Sequence, residues 1–347
     1  MTGHFILQSS PHVRSRESSA TVMGDMMIAL LPLYLMAFYY YGWRTLLMGL
    51  VGIFTAQALD LLTTVMSGRK PNWRDFSAAV TGMILPLLLP ASAPYYVVAT
   101  GVAVAILAVK FPFGGTGNNL FNPAAVGFAF VAFCWPGSVF SFPVPLERLA
   151  LTSTTAFTAG VSPAYSLAIG AIPEYDALDM LLGAVPGPMG ATNILVILAC
   201  ALFLIVRGTI NWRLPLSFII TAAVMSALFP RVPTSAAVSV EYELFSGCLM
   251  FGAVFVLTEP VTTPKRDTSK VLYGICSAVA VMLFRYFGGF EEAMMFAMVI
   301  MNVLSPAFDY ATEKLLHKLR TGGEIGAGAP AKEEQKQSRH SRVRRAG

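Results

Sequence analysis

The chain has 347 residues, of which 55% are hydrophobic and only 12% charged, about half the charge of a soluble domain. So few charges cannot cover a water-facing surface, which excludes a soluble globular fold. The net charge of +5 comes from Lys and Arg in short loops and a tail, with no basic face interleaved with exposed aromatics, so a nucleic-acid partner is not expected.

In chain order, residues 1–22 form a polar segment expected on the cytoplasmic side. Residues 1–20 lack the basic-then-apolar order of a cleavable signal. Apolar runs that approach the roughly 20 residues needed to cross the hydrocarbon core then recur to residue 311. They are continuous rather than alternating, so they predict helices and not a barrel. The expected fold is all-α and integral to the membrane, with about ten transmembrane helices. These cover 23–41, 45–66, 76–91, 94–110, 121–136, 193–207, 214–230, 242–258, 271–288 and 293–311. Residues 23–136 hold the first five and 193–311 the second five. Between them, 137–192 is a long connector rich in Ser, Thr, Pro and Gly, and Leu149, Phe157, Tyr165, Leu167 and Ile169 predict that it packs. Residues 312–347 read as a basic tail, solvated and disordered, able to touch anionic lipid.

Charge sets the orientation. All but four of the 24 Lys and Arg residues fall on one side of this topology, with both termini. The exceptions are Arg44, Arg148, Arg231 and Arg285. Both ends are therefore expected in the cytoplasm and the connector outside.

The two halves repeat. Trp43-Arg44 recurs as Trp212-Arg213, Ser77-Ala78 as Ser246-Gly247, Pro90 as Pro260 and Phe113-Gly114-Gly115 as Phe287-Gly288-Gly289, at offsets of 169, 169, 170 and 174. Five spans per half is odd, so the halves insert with opposite orientation, an arrangement that builds midplane pathways from broken helices. Two interruptions stand out, at 114–123 and 258–264. Backbone freed from helical bonding in a membrane must find partners or line a cavity, and Gly-Asn turns can present amides to anions or flavin carbonyls. A tight turn followed by a helix cap explains the same residues.

Other chemistry is thin. Cys134, Cys200, Cys248 and Cys276 are far apart and lie in apolar runs, so no metal site is expected. His4, His12, His317 and His340 lie outside the spans, which argues against a membrane haem. Asp60 and Arg285 lie deep in spans, where charges are costly and default to function. They are ion-path candidates or structural pairs with another chain. Asp25, Glu259 and Asp309 read as interfacial carboxylates. Lys110, at the first interruption, either contacts a bound group or anchors its helix. Met294, Met295, Met298 and Met301 read as lipid-facing or subunit packing.

These stretches carry a resemblance. Ser9-Ser10-Pro11-His12, the Gly-Gly-Thr-Gly-Asn-Asn-Leu-Phe-Asn-Pro-Ala block at 114–124, Asn211-Trp212-Arg213-Leu214-Pro215, Thr258 through Pro264, and Phe287-Gly288-Gly289 through Met301-Asn302 together resemble the RnfD/NqrB family. Its members are membrane subunits of ion-pumping redox complexes, and the motifs span nearly the whole chain. The resemblance implies a translocase subunit that acts in a complex and not alone, coupling ferredoxin/NAD electron transfer to movement of Na+ or H+ across a bacterial inner membrane. It implies FMN joined by a phosphoester to a threonine of the long outer loop, installed by a flavin transferase. A second, non-covalent flavin, riboflavin or FMN, is implied among the spans, with Lys110, Asn118, Asn119, Asn122, Pro123, Thr258 and Glu259 as its candidate residues. Partners would be the A, B, C, E and G subunits, including a second flavinylated subunit and iron–sulfur subunits. For the covalent site, Thr155 in Thr152-Ser153-Thr154-Thr155-Ala156-Phe157 is favoured over Thr192 in Gly190-Ala191-Thr192, which is explained as the N-cap of the sixth span. The rival reading is a secondary transporter or channel with inverted repeats and no flavin.

Overall fold

The computed structural model describes residues 19–68, 75–114, 117–152, 157–289 and 291–327, with side chains to Leu315. The first half comprises α1 (Ser19–Tyr41), α2 (Trp43–Met66), α3 (Ser77–Leu87), α4 (Tyr95–Val104, continued by a π-helical turn Ala105–Lys110) and α5 (Pro123–Cys134). The connector carries α6 (Pro136–Val139), β1 (Phe142–Pro143), β2 (Ala159–Gly160), α7 (Pro163–Ala168) and α8 (Ala177–Leu182). The second half comprises α9 (Ile194–Val206), α10 (Arg213–Leu228), α11 (Ala236–Phe245), α12 (Leu249–Phe251, continued by a π-helical turn Gly252–Val256), α13 (Asp267–Phe287) and α14 (Ala293–Ala327).

Helix therefore lies within each apolar run read from the sequence, but the lengths differ. Among the described residues, α1, α2, α13 and the 293–315 part of α14 are long and apolar enough to cross a membrane. The α11 and α12 pair, bent by 68°, makes a fifth if taken as one broken span. The remaining apolar helices are shorter. At about 1.5 Å per residue, α3 extends roughly half of a 30 Å hydrocarbon core. Every residue from Ala78 to Ala93 is buried, and so is every residue from Leu249 to Val256. Two short, wholly enclosed half-helices thus occupy repeat-related positions at the centre of the molecule. Each is flanked by irregular backbone that is buried in protein, where membranes tolerate it.

Small residues make that centre possible. Gly52 of α2 and Gly82 of α3 face each other so closely that a Cβ on either would overlap the partner's carbonyl oxygen. Gly42, at φ 82°, turns the chain from α1 into α2 in a conformation that costs other residues energy. The halves join where α14 packs on α5 and α1 on α9. Met294, Met295, Met298 and Met301 are all buried in this chain's own core. The expectation that they face lipid or another subunit is corrected: they pack inside this chain, Met294 against Gly252 of the second half.

The connector packs as expected from its apolar content. β1 and β2 pair antiparallel, with Phe142 opposite Gly160. Leu167 is buried and Leu149 packs on the core, while Tyr165 and Ile169 stay exposed. The connector docks by backbone bonds: the Leu149 amide donates to the Tyr41 carbonyl (3.3 Å), and those of Met189 and Gly190 to Leu89 and Leu87 (3.0 and 2.9 Å). Tyr40 Oη donates to the Leu182 carbonyl at 2.9 Å. All these contacts lie at one end of the bundle, hereafter the connector end. α14 continues as helix to Ala327, so helix enters the segment expected to be a disordered tail from residue 312. From there no Gly or Pro occurs before Gly322, and an unbroken run of helix-formers propagates readily.

Candidate functional site

Ion pairs sort onto the two ends of the bundle. At the end opposite the connector, the far end, the last two turns of α2, the start of α3 and the π-turn of α4 converge on Lys110. Its ammonium is buried and lies 2.9 Å from Asp60 Oδ1 and 3.9 Å from Asp75 Oδ2. It also donates to Ser77 Oγ at 2.8 Å. Asp75 in turn accepts the Ser77 amide at 3.0 Å, capping the α3 N-terminus. Asp25 pairs with Arg207 at 3.0 Å and accepts from Thr209 Oγ1 at 3.0 Å, joining α1 to the end of α9. Asp309 accepts the amides of Lys265 and Arg266 at 2.9 and 3.3 Å. Asp25 and Asp309 are thus anchors beside basic loops.

The two sequence interruptions meet around one cavity at this end. It is lined by Lys110, Ser77, Asn119, Asn122, Pro123 and Glu259, with apolar residues of α1, α3 and α12 behind them. Asn122 caps α5 by accepting the Ala125 amide at 3.1 Å and donates Nδ2 to the Val256 carbonyl at 3.2 Å. It therefore pins the first interruption to the C-terminal end of the second half-helix. Asn119 Oδ1 is buried with no hydrogen-bond partner among the described residues. Glu259 accepts from Thr262 Oγ1 at 3.2 Å.

Of the seven residues read as a non-covalent flavin site, five border this cavity. Asn118 is exposed away from it. Thr258 turns back on its own helix, donating to the Val254 carbonyl at 2.5 Å. The cavity holds about 40 Å³, room for roughly three water molecules. That space accommodates water or a small ion.

The connector end holds a second cluster. Arg285 of α13 donates Nη1 to Glu243 Oε2 at 2.9 Å and to the Glu243 carbonyl at 2.7 Å, and Nη2 to the Ser246 carbonyl at 2.8 Å. Arg231 bonds Glu243 from the other side and donates to the Arg285 carbonyl at 3.2 Å. In the 288–292 turn, outside the spans, Glu292 accepts the Cys248 amide at 2.7 Å, capping the start of α12. Its neighbour Glu291 accepts from Ser162 Oγ of the connector. Burial pushes the Glu291 carboxyl up to about 7, the Ser162 bond opposing and the Glu292 charge reinforcing the rise. Burial also raises Glu292, against the Cys248 amide and Arg285. The reading of Asp60 and Arg285 as partners of another chain is thus corrected: both pair within this one, because helix packing inside each half brings Lys110 to Asp60 and Glu243 to Arg285.

The two threonines differ. Thr155 lies outside the described residues. Thr192 is buried, and the N-cap of α9 is Asn193, whose side chain accepts the Val196 amide at 2.9 Å. The cap assignment therefore moves one residue on, because the Asn carbonyl reaches the third amide of the helix.

Residues 6–317 match the model of the NQR2, RnfD, RnfE family. The chain belongs to that family. It is 30% identical to the D subunit of the Na(+)-translocating ferredoxin:NAD(+) oxidoreductase complex of Acetobacterium woodii, over 90% of this chain and 94% of that one. It is 29% identical to the D subunit of the ion-translocating oxidoreductase complex of Actinobacillus pleuropneumoniae, over 90% and 99%. With the protein of that name from Salmonella typhimurium it shares 28%, over 92% and 99%.

Proposed function

We propose that this family member is the flavin-carrying membrane subunit of a redox-driven complex that moves Na+ or H+ as electrons pass between ferredoxin and NAD. The observation that carries this is similarity along nearly the full length of both chains to the D subunits of ion-translocating oxidoreductases. In this reading the chain is a translocase component, working with partner subunits in a bacterial inner membrane. Its apolar segments make ten crossings in two inverted sets, with both termini cytoplasmic. The sorting of ion pairs onto two ends supports that topology: Lys110, Arg207 and Asp309 at one end, Arg231 and Arg285 at the other.

FMN would be held by a phosphoester on Thr155, added by a flavin transferase. Several observations favour this threonine over Thr192. Leu151 and Thr152 are exposed while Thr192 is buried. The chain on either side is also held. Arg44 Nη1 donates to the carbonyls of Ala150 and Leu151 at 3.0 and 3.3 Å, and Tyr95 Oη to Leu151 at 2.7 Å. After it, the Thr158 amide donates to Glu147 at 3.0 Å. A tether with both flanks fixed limits where a bound group can reach. FMN on it would supply one- and two-electron transfer, and the protein's part is to orient it.

The test is a denaturing gel of protein made with its transferase, viewed under ultraviolet light. Flavin fluorescence should survive denaturation, vanish in Thr155→Val and persist in Thr192→Val. Loss in Thr192→Val alone would move the site, and a dark wild-type band would favour a flavin-free transporter.

A further inference from the structure

The seam between α10 and α13 changes character along its length. At Gly274 the two helices touch so closely that a Cβ would collide with Ser217 Oγ. Toward the connector end the facing residues become Met225, Leu283 and Tyr286, and the seam holds an open groove of about 630 Å³. That size falls within the roughly 300–1,000 Å³ of sites that enclose drug-sized apolar ligands. Leu228, Phe229, Leu283 and Phe287 line the groove and stay exposed. Arg231 is the one charged residue among the described residues that line it. Its side chain is 9% exposed, and its guanidinium lies 5.9 Å from the centroid of the Tyr286 ring. Nε donates to Glu243 Oε1, and Nη1 donates to the Arg285 carbonyl at 3.2 Å. The third nitrogen, Nη2, makes no hydrogen bond among the described residues.

We propose that this groove binds one anionic phospholipid, its phosphate accepting from Arg231 Nη2 and one acyl chain lying between Leu228 and Leu283 toward Met225. Depth supports the assignment. The 21 residues of α13 extend about 31 Å at 1.5 Å per residue, which matches a hydrocarbon core of about 30 Å. Its last residues therefore reach the headgroup level of the leaflet on the connector side. Arg231 is bonded to the Arg285 carbonyl, two residues before that end, so it sits where lipid phosphates lie. A polar group left without a partner beside apolar surface is costly, and a phosphate oxygen there offers a charge-assisted bond.

Charge selects the headgroup. The Glu243 carboxylate is shared by two guanidiniums, those of Arg231 and Arg285. Glu292, the further acid facing Arg285, has its ionised form disfavoured by burial. The local balance is positive and suits a lipid of net negative charge over a zwitterionic one. Arg231 already ties α11, through Glu243, to α13, so a phosphate on Nη2 would make the lipid part of that joint. A lipid that merely coats the bundle has no such partner: Phe54 on α2 is 76% exposed and apolar, and serves as the reference. The proposal needs only that the chain lies in a membrane, and depends on neither the flavin nor the ion.

The experiment uses the whole complex in phosphatidylcholine vesicles doped with phosphatidylglycerol that carries a photoreactive group on one acyl chain. After illumination, mass spectrometry locates the labelled residues. Label should concentrate at 225–229 and 283–287, about tenfold above that at Phe54. Unlabelled phosphatidylglycerol should displace it about fivefold more effectively than added phosphatidylcholine. Arg231→Gln should remove the excess label and the headgroup preference, with label at Phe54 unchanged. Should that variant fail to assemble, Leu283→Trp fills the groove and alters no charge, and it should lower groove label to the Phe54 level. Groove label no higher than at Phe54, or displaced equally by both lipids, would overturn the proposal. So would a peptide of another subunit cross-linked in the groove, or an isoprenoid quinone that displaces the label better than phosphatidylglycerol does.

Discussion

Trp43-Arg44 and Trp212-Arg213 are the same motif at the head of the same helix in each half, yet the two arginines live differently. Arg44 is 0% exposed. It donates to the carbonyls of Ala91, Ser92, Ala93, Ala150 and Leu151 and lies over the Tyr95 ring. The side chain of Arg213 is 37% exposed, paired with Asp267 at 2.6 Å and stacked near its own Trp212. The difference comes from what lies beyond each motif. Arg44 reaches the loop between α3 and α4, where the carbonyls of Ala91, Ser92 and Ala93 converge, and the connector covers it. Arg213 opens α10 at the opposite end, where no comparable segment lies over it among the described residues. A duplicated motif fixes a position on a helix; the chain added between the copies decides its environment.

Four substitutions sharpen the contrast. The largest effect is expected from Arg44→Met, which strands several buried carbonyls at once. On the order of 3 kcal/mol or more should be lost, read as collapse of the protein's steady-state level in membranes. A wild-type level would mean the connector holds itself in place. Next is Gly82→Val, which forces α3 away from the Gly52 carbonyl at a cost of about 1–3 kcal/mol, read as a lower thermal midpoint in detergent.

A smaller effect is expected from the Glu291–Ser162 contact. The docked carboxyl has its pKa near 7 against an ordinary 4.5, so the docked connector binds a proton more tightly than the undocked one. Docking is then strongest below the lower value and weakens as pH rises through the higher. Hydrogen exchange at residues 158–166, corrected for intrinsic rate, should be up to about tenfold faster near pH 8 than near pH 6. Glu291→Gln should erase that difference. Arg213→Met should change stability by less than about 1 kcal/mol. A loss matching that of Arg44→Met would erase the distinction between the halves.

The sequence displayed the helices and the two interruptions clearly, because unbroken apolar runs and Gly-Asn-Pro blocks are local signals. It also displayed that Lys110, Asn119, Asn122 and Glu259 belong to irregular segments that needed partners. What it hid was pairing. The acids and serine around Lys110 come from the end of α2 and the start of α3, and nothing local links them. Glu243 drew no notice, since an acid near a helix end looks ordinary. The signal was its offset of 168 from Asp75, one short of the 169 that separates Ser77 from Ser246. Glu291 and Glu292 were missed for a similar reason, as a polar pair in a short turn reads as solvated, whereas here it is covered by the connector and the second half-helix. The size of the cavity was illegible too, since lining residues can be read from a pattern but the space between them cannot.

One dimension of α14 has a mechanical corollary. Its 35 residues extend about 52 Å at 1.5 Å per residue, against a hydrocarbon core of about 30 Å. Starting beside the connector, the rod must overshoot the opposite leaflet by roughly 20 Å unless steeply tilted. Any peripheral protein seated on that face therefore has to lodge alongside a protruding helix, one that Pro306 can bend within the membrane.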